Sequence, residues 1–356
     1  MDILNNNFIT YDCIRTSVKI TPEEQVAFAV EKGDMLFQRS SETLEDVGRA
    51  NVYMDENPAV FGGFVIRGKK KTEYNPMFFR YLLASPYARK KIIPMGAGAQ
   101  HFNIGQDGLS KVKLHFPILQ EQQKIAALLR LIDERITTQN KIIEKYESLI
   151  QAMCDTLIGK KTQQVMLSFN DFGESYSGLS GKSAEDFGEG SPYITYMNVY
   201  QNQIIDITDI GLVKINKTEQ QSLVQYGDIL FTLSSETPEE VGMGAVYLGE
   251  TYPLYLNSFC FGIHITDESK IFPPFLAYYV SSESFRKAVF PLAQGSTRFN
   301  LQKGDFLKKV FPFPAIEQQR KIYSILKTYS DKLNIEKQMI KLLCCQKQYL
   351  LRQLFI

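Results

Sequence analysis

Two stretches of the chain carry apolar residues spaced alternately four and three apart. The first seam runs Ile125, Leu129, Ile132, Ile136, Gln139, Ile143, Tyr146, Ile150, Met153, Leu157. The second keeps that register at an offset of 197: Ile322, Leu326, Tyr329, Leu333, Glu336, Ile340, Leu343, Lys347, Leu350, Leu354. A 4-3 alternation is the coiled-coil period, so each stretch predicts a long helix with one apolar seam. At ~1.5 Å per residue each seam is roughly 50 Å long. Both seams are interrupted at the same place, by Gln139 and Glu336. If the helices pair antiparallel with ends aligned, these two residues meet. A polar layer in a seam costs stability but fixes register. The plainer alternative is a polar residue at a solvated edge.

Outside the seams the pattern changes to short β-branched and aromatic runs punctuated by Gly, Pro and Asn. Ile229–Thr232, 245–248 and 259–265 are examples, and such runs predict strands. Pro76 and Pro274 stand where a first helical turn would begin, ahead of Phe78-Phe79-Arg80-Tyr81-Leu82-Leu83 and Phe275-Leu276-Ala277-Tyr278-Tyr279-Val280. Whole phrases recur. Gly33-Asp34-Met35-Leu36-Phe37 returns as Gly227-Asp228-Ile229-Leu230-Phe231, and Ser40-Ser41-Glu42-Thr43 as Ser234-Ser235-Glu236-Thr237, both at an offset of 194. Phe102-Asn103 returns as Phe299-Asn300 and Phe116-Pro117 as Phe313-Pro314, at 197. Units of solenoids and propellers are roughly 20–50 residues, so this period is that of a domain plus a long helix. The chain is a tandem duplication, which suits a ligand with two halves.

Composition narrows the partners. A length of 356 residues predicts two or three domains, and 44% hydrophobic residues allow a sizeable core. The net charge of +1 announces no bulk affinity for nucleic acid, so such a surface must be local or shared with partner chains. Five Cys without a C-x-x-C pair read as reduced thiols, mostly buried, and three scattered His give no metal site. No apolar run reaches the roughly 18 residues of a membrane span. These features predict a cytoplasmic location.

Catalytic signatures are incomplete. Asn75-Pro76-Met77-Phe78 lacks the second proline of the loop with which DNA adenine methyltransferases grip a flipped base, and Phe272-Pro273-Pro274-Phe275 lacks the amide. Helix starts explain both. Gly181-Lys182-Ser183 has no Gly five residues earlier, so it is not a phosphate-binding loop. No Ser/His/Asp or Cys/His set repeats: His101 aligns with Arg298 and His115 with Pro312. The chain reads as a binder.

Its repeated loops are rich in side chains that hydrogen-bond base edges and phosphates. Arg39, Ser40, Ser41 and Thr43 follow one strand, and Ser234, Ser235 and Thr237 follow its copy. Gln100, His101 and Asn103 match Thr297, Arg298 and Asn300. Lys69 and Lys70, in the run to Lys71, and Arg89-Lys90-Lys91 are candidate phosphate contacts, and Tyr176 and Lys182 join the candidate set in the second copy. Solvated polar turns are the competing account of all these loops.

The junction Gly295-Ser296-Thr297-Arg298-Phe299-Asn300-Leu301, followed by Phe311-Pro312-Phe313-Pro314-Ala315-Ile316-Glu317-Gln318-Gln319-Arg320-Lys321-Ile322, resembles the specificity subunits of type I restriction–modification systems. Phe116-Pro117 through Ile125 repeats it, as does the Gly-Asp-Ile/Met-Leu-Phe strand. The resemblance covers essentially the whole chain. It implies an α+β fold, with two β-rich target-recognition domains separated by two long antiparallel coiled-coil helices. The expected bounds are 1–117 and 161–314 for the domains, and 118–160 and 315–356 for the helices. It further implies a non-catalytic subunit without a cofactor of its own. Such a subunit reads a bipartite site on double-stranded DNA. It docks methylating subunits, which bind S-adenosylmethionine, and ATP-dependent restriction subunits. One departure stands out. Met1-Asp2-Ile3 aligns with Met197-Asn198-Val199, so copy one lacks a counterpart of the leader at about 166–196. The first domain is therefore expected to be incomplete. A coiled-coil scaffold that no longer recognises DNA, and an enzyme acting on DNA by itself, stay open as alternatives.

Overall fold

The computed structural model describes residues 2–159, 164–216, 218–250 and 252–355. Its contacts group the chain into two compact units, one of Met1–Ile142 with Glu336–Ile356 and one of Ile143–Ile335. The expected boundary between 160 and 161 lies outside the described residues.

In the first unit the strand Met35–Gln38 is central, with Ala50–Val52 on one side and Val65–Gly68 on the other, both antiparallel. Met35, Val52 and Ile66 face a core completed by Val47, Leu83, Ile92 and Ile104. The helix Pro76–Ala84 begins where Asn75 accepts a hydrogen bond from the Phe78 amide, with proline in the first turn. Asn75-Pro76 is thus a helix cap, which disposes of its likeness to a methyltransferase loop. This helix buries Phe78, Tyr81 and Leu82 against Ala126 and Leu129 of the first long helix, Leu119–Ile158, and against Leu351 and Phe355.

The two long helices run antiparallel inside this unit. Asp133 meets Lys347, and further along the first helix Gln139 meets Glu336, further back along the second, Ile316–Gln353. The Gln139 amide donates to the Glu336 carboxylate and sits 3.4 Å from the Glu336 carbonyl oxygen. Every seam position is buried or half-buried, so the 4-3 pattern marks the inward face. Lys347 replaces an apolar residue in that seam for a visible reason. Its ammonium lies 2.5 Å from Asp133 Oδ1, and Oδ2 of the same buried carboxylate accepts the Tyr81 hydroxyl at 2.8 Å.

The second unit repeats the plan with an additional strand. Its sheet runs Gly244–Val246, Ile229–Thr232, Cys260–Ile265, Gly173–Ser177. The last of these comes from the leader. Ahead of it, Phe169 and Phe172 are fully buried among Phe231, Phe285, Phe306, Phe311 and Phe313. The helix starts at Pro273, one residue earlier than expected, and all of Pro273–Tyr279 is buried. Its Tyr278 donates to Ser330, the position equivalent to Asp133. In the first unit no described strand pairs with the outer edge of Val65–Gly68.

A buried glutamine ties each helix start to its junction. Gln122 accepts from the Asn75 amide and donates to the Pro117 carbonyl. Gln319 accepts from the Phe272 amide and donates to the carbonyls of Pro314 and Lys270. Gln122 and Gln319 are equivalent at the common offset of 197. The cysteines depart from expectation. Cys154 and Cys260 are buried, but Cys13 is half-buried and Cys344 and Cys345 are exposed. The last two fall off the 4-3 seam, on the outer side of the helix. No described helix is long and apolar enough to cross a membrane.

Two outcomes follow. Asp133→Ala leaves the half-buried Lys347 charge without its partner and is expected to cost about 3–5 kcal/mol. Chemical denaturation should show Asp133→Ala/Lys347→Met recovering most of that loss, because a packed apolar pair often replaces a buried ion pair at little cost. Limited proteolysis is expected to cut within residues 2–117 before it cuts within 164–314, since Val18, Val26 and Phe64 are all more than two-thirds exposed in the first unit. Equal resistance of the two regions would mean that the three-stranded sheet is sufficient.

Candidate nucleic-acid interface

The fold brings two distant repeated phrases together in each unit. Ser40 and Ser41 pair with Asn103 and Phe102, and Ser234 and Ser235 pair with Asn300 and Phe299. The Ser40 hydroxyl donates to the Asn103 side chain. Ahead of Phe102 and again ahead of Phe299, the chain turns back through a loop headed by glycine. Gly98 (φ 147°) and Gly295 (φ 142°) adopt backbone that other residues rarely reach. A Cβ on Gly98 would strike the His101 carbonyl oxygen, and one on Gly295 the Arg298 carbonyl oxygen. Only glycine lets the turn close this tightly. The closure leaves Gln100 and His101 exposed in one unit and Thr297 and Arg298 exposed in the other, with Asn103 and Asn300 exposed at the loop bases.

Below each serine pair lies a short helical turn whose ends are pinned. Thr43 donates to Asp46 and Thr237 to Glu240, each at 2.9 Å. At the other end an arginine gathers backbone carbonyls. Arg89 Nη2 donates to Glu45 and Val47 oxygens, both at 2.7 Å. Arg286 reaches the oxygens of Glu239, Val241 and Gly242 at 2.6–2.8 Å. Arg89, grouped with Lys90 and Lys91 as a phosphate contact, is instead a brace for the loop. Lys91 is also engaged, with the Tyr87 hydroxyl and the Lys113 carbonyl, while Lys90 is exposed. The recurrence of Arg89 as Arg286 at the common offset was the sequence signal for this role.

The second unit carries more chemistry around its loop. Tyr196 donates to the Ser234 carbonyl at 2.6 Å and stacks on Tyr200, with ring centroids 5.9 Å apart. The Tyr200 hydroxyl, then those of Thr237 and Ser235, hold the Glu240 carboxyl below its ordinary range. Arg298 lies 5.8 Å from the centroid of the half-exposed Phe259 ring. Sequence reasoning missed Tyr196, Tyr200, Glu240 and Phe259. The two tyrosines and Phe259 lie outside the matched phrases, and Glu240 is paired by its neighbours only in the folded loop.

The remaining candidates separate by exposure. Arg39, Thr43, Lys69, Lys70 and Thr237 are exposed, although Lys69 is 2.9 Å from Glu31. Ser40 and Ser41 are half-buried, and Ser234 and Ser235 are buried beneath their loops. Two candidates are corrected. Tyr176 is buried in the sheet, its hydroxyl on Asp228 at 2.7 Å, and burial beside that carboxylate pushes its pKa up. Lys182 is covered and bound to Glu219 at 2.5 Å, holding that carboxyl down to about 2. Both side chains satisfy inward partners and present nothing to a nucleic acid. Among the described residues no cluster of His, Cys, Asp or Glu is arranged to hold a metal ion.

Known proteins match this chain over most of its length. The EcoKI specificity subunit of Escherichia coli strain K12 is 24% identical over 88% of this chain and 69% of its own length. The MjaVIII specificity subunit of Methanocaldococcus jannaschii is also 24% identical, over 90% of this chain and 77% of its own. Among solved structures, the S subunit of a type I restriction–modification system from M. genitalium superposes with a TM-score of 0.52 at 18% identity, covering 92% of this chain and 84% of that one. A chain from a type I system studied for its complex assembly gives 0.58 at 15% identity, covering 91% and 81%. Residues 1–148 and 166–343 match the family described as Type I restriction modification DNA specificity domain. With the seam, the doubled junction and the paired loops all present, the chain belongs to that family, the non-catalytic specificity component of type I restriction–modification systems.

Proposed function

We propose that the chain reads a bipartite site on double-stranded DNA, one half through each unit. The recognition domains correspond to residues 1–117 and 161–314, and the helices at 118–160 and 315–356 set the unspecified spacer between the half-sites. The observation that carries this reading is the pairing, twice over, of a serine strand with a glycine-headed loop whose polar tip is exposed. Thr43, Gln100, His101 and Asn103 serve one half-site with Arg39, Ser40 and Ser41. Thr237, Thr297, Arg298 and Asn300 serve the other, with the buried Ser234 and Ser235 holding their loop in place. Lys69 and Lys70 supply phosphate contacts, which position the protein without reading sequence.

The chain brings no cofactor. Methylating subunits, which carry S-adenosylmethionine, dock along the long helices, and ATP-dependent restriction subunits join the assembly, which works on DNA in the cytoplasm. Leu128, Leu131, Leu342 and Tyr349 stand exposed on the helices of the first unit and support such docking. With a net charge of +1, the partners must furnish much of the phosphate contact.

Arg298→Ala is expected to weaken specific binding by ~1–3 kcal/mol and to relax one base position, because arginine is the commonest partner of guanine in the major groove. Mobility shifts with methylating subunits present test this. Equal loss on random DNA would make Arg298 a phosphate contact, and no binding by the assembled complex would leave only the scaffold. Inserting one heptad into both helices is expected to lengthen the spacer in the methylated motif by roughly three base pairs, since seven residues add about 10 Å. An unchanged spacer would remove the ruler.

A further inference from the structure

The first unit holds a cavity of about 350 Å³ lined by Phe37, Gly68, Leu109, Leu114 and Phe116, among others. Its size falls in the range of roughly 300–1,000 Å³ that accepts ligands. The second unit shows what belongs in such a place. Phe37, Leu109, Leu114 and Phe116 match Phe231, Phe306, Phe311 and Phe313 by sequence offset. Those four rings surround Phe169, with centroids 5.0–6.4 Å away, and Phe172 packs on Phe313 at 5.5 Å. Pairing with the central strand makes Gly68 the counterpart of Ile263, since Met35 opposes one and Ile229 the other. The smaller Leu109 and Leu114 therefore widen the space, whose wall carries Tyr74 and Phe79, with Phe79 4.9 Å from the Phe116 ring.

One further contact of that leader has a substitute here. In the second unit Tyr176 lies across Gly262, where any Cβ would strike its ring, to reach the buried Asp228. The first-unit counterpart of Gly262 is Arg67, opposite Leu36 as Gly262 is opposite Leu230. Arg67 Nε itself binds Asp34, the counterpart of Asp228, at 2.6 Å. The buried carboxylate is satisfied, and the apolar cavity stays open. Its rim carries Lys69, Lys70 and Lys71 beside Glu73, with Lys69 paired to Glu31 at 2.9 Å. The leader segment Ser168-Phe169-Asn170-Asp171-Phe172-Gly173-Glu174 is acidic beside its aromatics.

We infer that this cavity is a peptide-binding site for an acidic Phe-x-x-Phe-Gly segment. The two phenyl rings fill the apolar space and the carboxylates meet the lysine rim. The inference does not depend on DNA recognition.

Fluorescence anisotropy of a labelled peptide spanning residues 167–175, titrated with the full chain, tests it. Saturable binding is expected. Replacing both peptide phenylalanines by alanine should weaken it at least about tenfold, the scale of lost anchor residues. Lys71→Glu in the chain should weaken it several-fold, without touching the core, and Leu114→Glu should abolish it. Three results overturn the proposal: no saturation, equal binding of the alanine peptide, or a chain that is already dimeric and that the peptide turns into monomers. The last would make a second copy the occupant.

Discussion

The polar layer in the helix seam is the constraint on which the first unit depends. An uninterrupted 4-3 seam would let two helices slide by a heptad at little cost, because every layer would be apolar. Gln139 against Glu336 and Asp133 against Lys347 remove that freedom. A one-heptad slip would leave the Asp133 carboxylate and the Lys347 ammonium in the seam without partners, a penalty of several kcal/mol per ion. Tyr81 extends the constraint, since its hydroxyl shares the Asp133 carboxylate and its ring is fully buried. The helix Pro76–Ala84 is thereby fixed to the same layer. Gln122 fixes the start of that helix to the junction at Pro117. The sheet, the short helix and the seam are thus tied by a few buried polar groups rather than by apolar packing alone.

The same logic separates the two copies. Asp133 corresponds to Ser330, and Lys347 corresponds to Ile150, so only one of the two equivalent layers is charged. Ser330 needs no counter-ion; it accepts the Tyr278 hydroxyl at 3.0 Å. A tandem duplication begins with identical seams that can pair in the wrong combination. A charge pair confined to one layer penalises those mispairings, which is how registers are specified in coiled coils.

Much of this was legible in the sequence. The helices could be read because a seam repeated over many heptads has one physical meaning, and the meeting of Gln139 with Glu336 follows from equal distances to the helix ends. The paired loops were legible as repeated phrases, though not as neighbours, because strand pairing between residues 40 and 103 is a long-range event. Side-chain direction was not legible. Tyr176, Lys182 and Arg89 look like nucleic-acid contacts by type, yet each is claimed by an acceptor within its own unit: Asp228, Glu219 or a row of backbone carbonyls. Nothing local in the sequence announces those acceptors. The compensation at Arg67 was hidden for the same reason, since its match to Gly262 appears only once the strands are in register.

Within each loop the parts divide into a fixed frame and a variable tip. The parts that recur are structural: the glycine that closes the turn, the serine strand, the phenylalanine-asparagine base and the arginine brace. The tips differ, Gln100-His101 in one copy and Thr297-Arg298 in the other. The second copy adds Tyr196, Tyr200 and Phe259 around its tip. Exposed tip residues contribute little to folding, so their exchange costs little stability. Backbone held by Gly98 or Gly295 tolerates no such exchange, because a Cβ there meets a carbonyl oxygen. Variation in the exposed tips is therefore cheap, whereas variation in the frame that presents them is not. A duplicated frame with two dissimilar tips is an arrangement in which the two tips can change independently.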